Sequence, residues 1–255
     1  MNKSSKRSLR ERLPLAPGPE GHFRWRGGGE ISRVEGFTDA VFAFAVTLLV
    51  VALEGPRSFE GLMDVVRGFP AFVICFTFLM IFWNAHFRYH RRYGLEDVIT
   101  RVLTMAILVL VLFFVYPLKF LFTMLTVSWF GLHMHEAPSL ESAAQIETLY
   151  VIYGLGFAGV WALYALLYWH ALRKRDELQL DEAELLQTRA VLVENFIYVG
   201  VCLLSVLLAV STNDAALPGY IYFLLGPLLT ANGFWWGSRL RKLTSPVASG
   251  ARTTP

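Results

Sequence analysis

The sequence predicts an all-α membrane protein with six transmembrane helices. Two compositional facts indicate this class: 55% of the 255 residues are hydrophobic and only 17% are charged. The mean hydropathy of +0.47 agrees with them. A soluble domain has about a quarter of its residues charged. Because one bilayer crossing needs about 20 mostly apolar residues, six crossings account for the apolar half of the chain.

Six apolar segments supply these crossings, and polar connections separate them. They lie at residues 34–54, 69–90, 102–124, 149–171, 190–211 and 216–237. The third segment carries Pro117 and Lys119 near its end, where a lysine stem can reach the headgroups. The fourth contains Gly154 and Ala158, whose spacing predicts close helix packing. We expect the long connection at residues 125–148 to form an outer cap.

The two ends of the chain are predicted to be tails flanking a transmembrane domain at residues 33–238. Residues 1–32 combine basic side chains with three prolines and a run of three glycines, which is typical of a flexible segment without its own core. Residues 239–255 form the second tail. The first apolar segment continues past Ala43-Phe44-Ala45 to Leu53, which is too long for a cleaved signal peptide. We therefore expect it to remain as a membrane span.

Lysine and arginine are distributed unevenly between the two sides of this topology. The tails and the second and fourth connections hold 20 of the 23 basic residues, and the other connections hold three. Cytoplasmic loops carry the excess of basic residues in membrane proteins. The sequence therefore predicts a multi-pass protein with both termini in the cytoplasm.

Several function classes fit the sequence poorly. A net charge of +3 and dispersed basic residues argue against a nucleic-acid partner. No motif of a zinc protease, a serine hydrolase or a phosphate-binding loop is present, so we expect no enzyme activity. The pair His86 and His90 is flanked by arginines that repel cations, and the loop 133–136 holds only two histidines and one glutamate. We therefore expect no metal site and no cofactor.

The first apolar segment carries an ionisable side chain, Asp39, just inside the membrane. Such a residue is costly unless it is paired, and it is a candidate for a functional site. Arg33 lies on the same side, and His86 lies at the same end of the second segment. The sequence predicts a buried network of these three side chains that fixes the first helix. The alternative is a proton relay in which Asp39 and His86 titrate.

Helical spacing places Phe37, Ala40, Phe44, Thr47 and Val51 on one face of the first segment. This face is apolar, and Thr47 is its one polar member. It fits a helix-packing surface, and it also fits a pore with a hydrophobic constriction, because such constrictions gate by dewetting. Periodicity alone does not separate these two interpretations.

A family resemblance favours the pore. Arg33-x-x-x-Phe37-Thr38-Asp39 resembles the Arg-x-x-x-Phe-Ser-Asp signature of the transmembrane protein 175 family, the endolysosomal potassium channels of animals and their prokaryotic relatives. The likeness continues through residues 46–50. In the second segment, Trp83-Asn84-Ala85-His86 resembles the Trp-x-x-His of the family, and a weaker likeness follows at residues 116–118. The matched stretches cover about the first half of the transmembrane region.

The resemblance implies a six-helix subunit that forms a homotetramer, with the first helix of each subunit lining a central pore. It further implies a leak-type, potassium-preferring cation channel in the cell (inner) membrane, with permeant potassium ions and no cofactor. Phe44 takes the position of the constriction, and Thr47 that of the hydroxyl linked to cation preference; Ala40 and Val51 share their face. The polar network implied beside the pore consists of Arg33, Phe37, Thr38, Asp39, Trp83 and His86.

The sequence departs from the family signature, and two alternative functions are open. Thr38 replaces the serine of the signature and keeps its hydroxyl, whereas Phe44 replaces an aliphatic residue and would narrow the pore. One alternative function is a proton-coupled secondary transporter that uses Asp39, His86 and Glu194. The other is a non-conducting membrane scaffold on the same fold.

Overall fold

A computed structural model describes residues 23–27, 31–51, 58–131, 140, 142–212, 214 and 216–244, and this part of the chain is built from helices. The long helices are α1 (Arg33–Val51), α3 (Phe69–Tyr93), α4 (Val98–Phe130), α5 (Ala143–Arg173), α7 (Glu182–Ser211) and α9 (Leu225–Thr244). The shorter ones are α2 (Phe59–Arg67), α6 (Arg175–Leu178) and α8 (Leu217–Tyr220), which a 3₁₀ turn at Ile221–Leu224 joins to α9. The predicted all-helical class is confirmed at this level.

Five of the described helices, α1, α3, α4, α5 and α7, are long and apolar enough to cross a membrane. They correspond to the first five apolar segments of the sequence. The longest, α4, has 33 residues, which at about 1.5 Å per residue gives a length of about 50 Å. Because the apolar core of a bilayer is about 30 Å thick, α4 extends beyond the expected span of 102–124.

The sixth predicted segment, 216–237, is broken into α8, the 3₁₀ turn and α9, and none of these pieces meets the same criteria within the described residues. Pro227 lies in the first turn of α9. A proline ring clashes with the carbonyl four residues earlier, which here belongs to Phe223 in the 3₁₀ turn. A continuous α-helix is therefore disfavoured at this point.

The helices form one bundle with α1 at its edge. α1 packs on α3 and α4, α5 makes its most extensive contact with α7, and α9 packs on α7. Gly154 of α5 faces α7, where an added Cβ would lie 2.3 Å from a methyl group of Val206. This close approach agrees with the small-residue spacing of the sequence. The hydroxyl of Tyr164 donates to the carbonyl of Phe82 at 2.6 Å and joins α5 to α3 inside the core.

Part of the expected N-terminal tail is packed on this bundle. Phe23 is fully buried, and its ring lies edge-on to that of Tyr93, with 5.6 Å between the centroids. Residues 23–27 thus share the core of the bundle, whereas the sequence had suggested a segment without one. Residues 1–22 and 28–30, and residues 132–139 and 141 of the expected outer cap at 125–148, lie outside the described residues. Much of the described part of that cap belongs instead to the end of α4 and the start of α5. At the other end, α9 continues to Thr244, into the expected C-terminal tail.

Candidate functional site

The two sides of α1 differ in burial. Thr38, Phe42, Ala45 and Leu49 are buried against α3 and α4. The face singled out in the sequence points away from the bundle: Phe44 is 55% exposed and Val51 is 64% exposed, and Ala40 and Thr47 are exposed with them. An uncharged face of this kind needs lipid, another subunit or the wall of a pore beside it.

Thr47 satisfies its own donor within α1. Its hydroxyl donates to the carbonyl of Ala43 at 3.0 Å. Because a hydroxyl has one donor and two acceptor lone pairs, this bond uses the donor and leaves the oxygen able to accept. The exposed face of α1 therefore carries one hydroxyl oxygen among apolar side chains.

Asp39 is held by a side chain of α3. The indole nitrogen of Trp83 donates to Oδ1 of Asp39 at 2.8 Å. Trp83 also stacks on Phe87 one turn later, with 5.4 Å between the ring centroids. The two residues that the resemblance placed in one network are thus in direct contact, and they join α1 to α3.

The other expected members of the network have different neighbours. His86 is buried, and its Nε2 lies 3.4 Å from the hydroxyl of Thr104 on α4. The hydroxyl of Thr38 is buried without a hydrogen-bond partner among the described residues. Arg33 and Phe37 are exposed, and the described residues include no ion pair between Arg33 and Asp39.

A small cavity of about 30 Å³ lies between α1 and α3 and is lined by Ile31, Glu35, Asp39, His86, Phe87 and Arg91. This volume is sufficient for a water molecule, which needs about 10–15 Å³. Asp39 and His86 therefore line the same small cavity, although no direct hydrogen bond joins them.

Glu35 and Arg91 are members of this site that the sequence analysis missed. The Nε atom of Arg91 lies 4.0 Å from Oε1 of Glu35. Glu35 is four residues before Asp39, a spacing that places both carboxylates on one face of a helix. Arg91 is likewise four residues after Phe87. These spacings are the sequence signals that could have identified Glu35 and Arg91. In the structure, Arg91 lies beside the carboxylates, at the position that had been expected for Arg33.

The connection between α3 and α4 is fixed by Asp97. This side chain caps α4 by accepting from the backbone of Thr100, and its Oδ2 lies 2.6 Å from Nε2 of His170 and 3.0 Å from Nζ of Lys174. Partial burial acts to raise the pKa of Asp97, but these hydrogen bonds outweigh it and hold the pKa well below its usual value. The bond to Asp97 in turn raises the pKa of Lys174.

Two further candidates of the sequence lie apart from this site. Glu194 on α7 interacts electrostatically with Arg88 and Arg92 of α3, and it does not line the cavity beside Asp39. The described residues hold no group of three or more metal-ligating side chains. The histidine pair at 133–135 lies outside the described residues.

Comparison with known proteins places these features in a family context. A family model described as the endosomal/lysosomal potassium channel TMEM175 matches residues 33–117, which include α1, α3 and the first part of α4. A protein of Marivirga tractuosa named potassium channel is 31% identical over 245 residues, which cover 92% of this chain and 99% of that protein. A potassium channel of a Chryseobacterium species is 34% identical over 56 residues, 21% of this chain and 29% of that one.

Two solved structures share the fold. The first is the crystal structure of a threonine-to-alanine variant of the potassium channel MtTMEM175 in complex with a Nanobody-MBP fusion protein. It is 30% identical with a TM-score of 0.77, and the match covers 89% of this chain and 100% of that one. The second is a lysosomal potassium-selective channel TMEM175 homolog from Chamaesiphon minutus, at 22% identity and a TM-score of 0.52, with 84% and 99% covered. The second likeness concerns the fold alone.

Proposed function

Because this chain belongs to the TMEM175 family of endosomal/lysosomal potassium channels, we propose that it is a leak-type, potassium-preferring channel whose pore is lined by α1. The observation that carries the proposal is the uncharged face of α1, which the other described helices leave exposed. The family consists of channels and not of enzymes.

The proposed assembly is a homotetramer with four copies of α1 around a central axis. Ala40, Phe44, Thr47 and Val51 line the pore in this arrangement. The exposed oxygen of Thr47 supports a role in cation preference, because it can replace part of the hydration shell of a potassium ion. Within the proposed network of Arg33, Phe37, Thr38, Asp39, Trp83 and His86, the contact from Trp83 to Asp39 supports a role in holding each α1 on its own subunit.

The proposed topology has both termini in the cytoplasm of the cell (inner) membrane, with the transmembrane domain at 33–238. This topology needs an even number of crossings, and the sixth consists of α8, the 3₁₀ turn and α9. The bond from the Ser205 hydroxyl to the carbonyl of Pro218 supports it, because it ties α8 to α7 at 2.8 Å. The basic residues, 20 of 23 on one side, support the orientation. Conduction needs permeant potassium ions and no cofactor.

Phe44 is the proposed constriction. Four phenyl rings around one axis form a narrow hydrophobic passage, and such passages limit conduction by dewetting. We expect Phe44→Ala to raise potassium flux by about tenfold, because the smaller side chain widens and wets this passage. The measurement is potassium uptake by proteoliposomes containing the purified protein, beside empty liposomes.

The matched control is Phe196→Ala on α7. Its side chain is 58% exposed, and a change there should leave the flux as it was. If the folded oligomer passes no potassium, with or without Phe44→Ala, the channel proposal is contradicted. The non-conducting membrane scaffold is then the alternative that fits.

The remaining alternative, a proton-coupled transporter, differs in its kinetics. A carrier saturates with substrate and loses transport with Asp39→Asn, whereas a channel shows graded flux. The separation of Glu194 from the cavity beside Asp39 and His86 favours the channel, because a shared proton path needs its titrating groups close together.

A further inference from the structure

Residues 23–27 carry a buried ion pair that the proposed pore does not use. The guanidinium of Arg26 lies 2.6 Å from the carboxylate of Glu184, and the two side chains are 2% and 0% exposed. Burial of two charges is costly unless they are paired and their other hydrogen-bonding atoms are satisfied. The structure meets both conditions.

Every N–H donor of the Arg26 side chain has an acceptor. Two go to the two oxygens of Glu184, at 3.1 and 2.6 Å. Nε donates to the carbonyl of Leu178 at 2.9 Å, and the remaining two reach the carbonyls of Gln179 and Arg24, each at 3.3 Å. Because the guanidinium has five donors, it is fully satisfied: the region of the turn between α6 and α7 supplies four of the acceptors, and Arg24 supplies the fifth.

Glu184 is equally saturated on its side. Besides Arg26, its carboxylate accepts from the backbone nitrogens of Arg24 at 3.0 Å and Asp181 at 3.1 Å. The bond to Asp181 is part of the capping box that begins α7. One carboxylate thus starts a helix and fastens residues 23–27 to it.

The same five residues hold the end of α3. The backbone nitrogen of Gly27 donates to the carbonyl of Arg91 at 3.1 Å, one of the carbonyls that the end of a helix leaves unpaired. Only a glycine allows this approach, because a Cβ at Gly27 would lie 2.3 Å from the carbonyl oxygen of His90. Phe23 also contacts this end of α3, because the guanidinium of Arg92 lies 5.0 Å from its ring centroid.

Trp25 connects this segment to α1 through α3. Its ring lies edge-on to that of Phe87 at 6.3 Å, and Phe87 stacks on Trp83, which donates to Asp39 of α1. The guanidinium of Arg91 covers both Trp25 and Phe87, at 6.0 and 5.2 Å, and faces Glu35 of α1. Two lines of contact therefore run from residues 23–27 to the first turns of α1.

We propose that residues 23–27 are a positioning strap that fastens the turn between α6 and α7 to the first two turns of α1 and so holds the pore helix in place. Arg26 anchors the strap, and Trp25 transmits its position through Phe87 and Arg91. The strap rests on the proposed channel function for its effect on conduction, and it predicts a mechanical effect on α1 independently.

Two variants loosen the strap without leaving a buried charge unpaired. Trp25→Ala removes the contact with Phe87 and Arg91, and Gly27→Ala forces the backbone away from His90. The conservative change Trp25→Phe keeps an aromatic ring at the first site. Two controls have matching chemistry: Trp169→Ala removes a half-exposed tryptophan that an arginine covers at 4.1 Å, and Gly237→Ala adds a methyl group where nothing lies within 4 Å.

Two readouts are taken on the reconstituted full chain: single-channel open probability, and hydrogen–deuterium exchange of residues 33–40. With the strap loosened, α1 leaves the position that narrows the pore at Phe44, so open probability rises about threefold, a typical size for coupling between such sites. Exchange in residues 33–40 becomes faster at the same time. Trp25→Phe and both controls keep the values of the unaltered chain, and the reversal potential for potassium is unchanged throughout.

The strap is overturned if Trp25→Ala and Gly27→Ala both leave the exchange of residues 33–40 unchanged, or if the two controls speed it equally. If Trp25→Ala or Gly27→Ala fails to assemble, the other variant is measured instead, because the two substitutions alter different contacts. If the unaltered chain passes no potassium, the channel proposal fails. Faster exchange of residues 33–40 in Trp25→Ala and Gly27→Ala would still support the strap. If potassium passes and the exchange does not respond, the channel stands and the strap fails.

Discussion

Two polar side chains of the candidate site contact partners on other helices. Asp39 accepts from Trp83, and His86 lies beside Thr104. Because an unpaired ionised group is costly inside a membrane, the hydrogen bond from Trp83 stabilises Asp39 and also joins α1 to α3. The cavity that Asp39 and His86 help to line has room for a water molecule.

The charged carboxylate of Asp97 leads to a prediction about how the free energy of unfolding depends on pH. The folded-state pKa of this carboxyl lies below its usual value of 3.8, so its stabilising effect is present above about pH 4 and is lost as the pH falls through the folded-state pKa. We expect Asp97→Asn to lower the free energy of unfolding at pH 7 by about 1–2 kcal/mol, because asparagine keeps the helix cap and loses the charge. Unfolding in detergent at pH 7 and at decreasing pH measures this.

The difference between Asp97→Asn and the unaltered chain should shrink below pH 4, because the carboxyl of the unfolded chain becomes protonated there while the folded-state carboxyl stays ionised to lower pH. Asp176→Asn is the control, because that side chain is 93% exposed and should change little at either pH. An equal loss of stability at every pH would contradict the role assigned to the charge.

Between elements, the close packing of α4 on α5 depends on a glycine, Gly156, which has no side chain. The ring of Phe114, which is buried on α4, lies over Gly156 of α5, where an added Cβ would be 1.7 Å from Cζ. We expect Gly156→Ala to destabilise the bundle by about 1–3 kcal/mol, because overpacking forces a core ring or a helix to move. The midpoint of thermal unfolding in detergent reports the effect.

Gly200→Ala on α7 is the matched control for this substitution. Nothing lies within 4 Å of a Cβ added there, and alanine favours a helix over glycine by up to about 1 kcal/mol. The control should therefore equal or exceed the stability of the unaltered chain. Equal midpoints for the two variants would show that the ring of Phe114 is not a tight neighbour.

For the whole molecule, the edge position of α1 predicts a water-filled axis in the assembly. We expect Thr47→Cys to react with a membrane-impermeant thiol reagent and to lose potassium flux, because the proposed homotetramer places this face on the pore. Leu207→Cys on α7 is the control, since Leu207 is 63% exposed in one chain and should contact lipid. The native thiols do not interfere, because Cys75 and Cys202 are buried.

The mass of the purified assembly provides an independent check. It should be about four times the 28.8 kDa of one chain, measured by light scattering with the detergent contribution removed. Equal reaction at both engineered cysteines, or a monomeric mass, would contradict the central pore.

Apolar length and helical spacing were sufficient to predict five spans and the exposed face of α1, because both are properties of neighbouring residues. The sixth segment was predicted as one regular helix, since its composition is apolar; in the structure a 3₁₀ turn lies between α8 and α9, and Pro227 follows it. Glu35 and Arg91 were not predicted, because the signature contains Arg33, which is not the partner of Asp39 among the described residues.

The sequence by itself determined that this chain is a helical membrane protein and that α1 carries an uncharged face with one hydroxyl. The tertiary structure decided which polar groups meet, and it turned residues 23–27 from an expected tail into a packed strap. The physical reason is distance along the chain: Arg26 and Glu184 are separated by 158 positions. Hydrophobic runs are local, whereas four of the five acceptors of Arg26 come together only after α6 and α7 have folded beside residues 23–27.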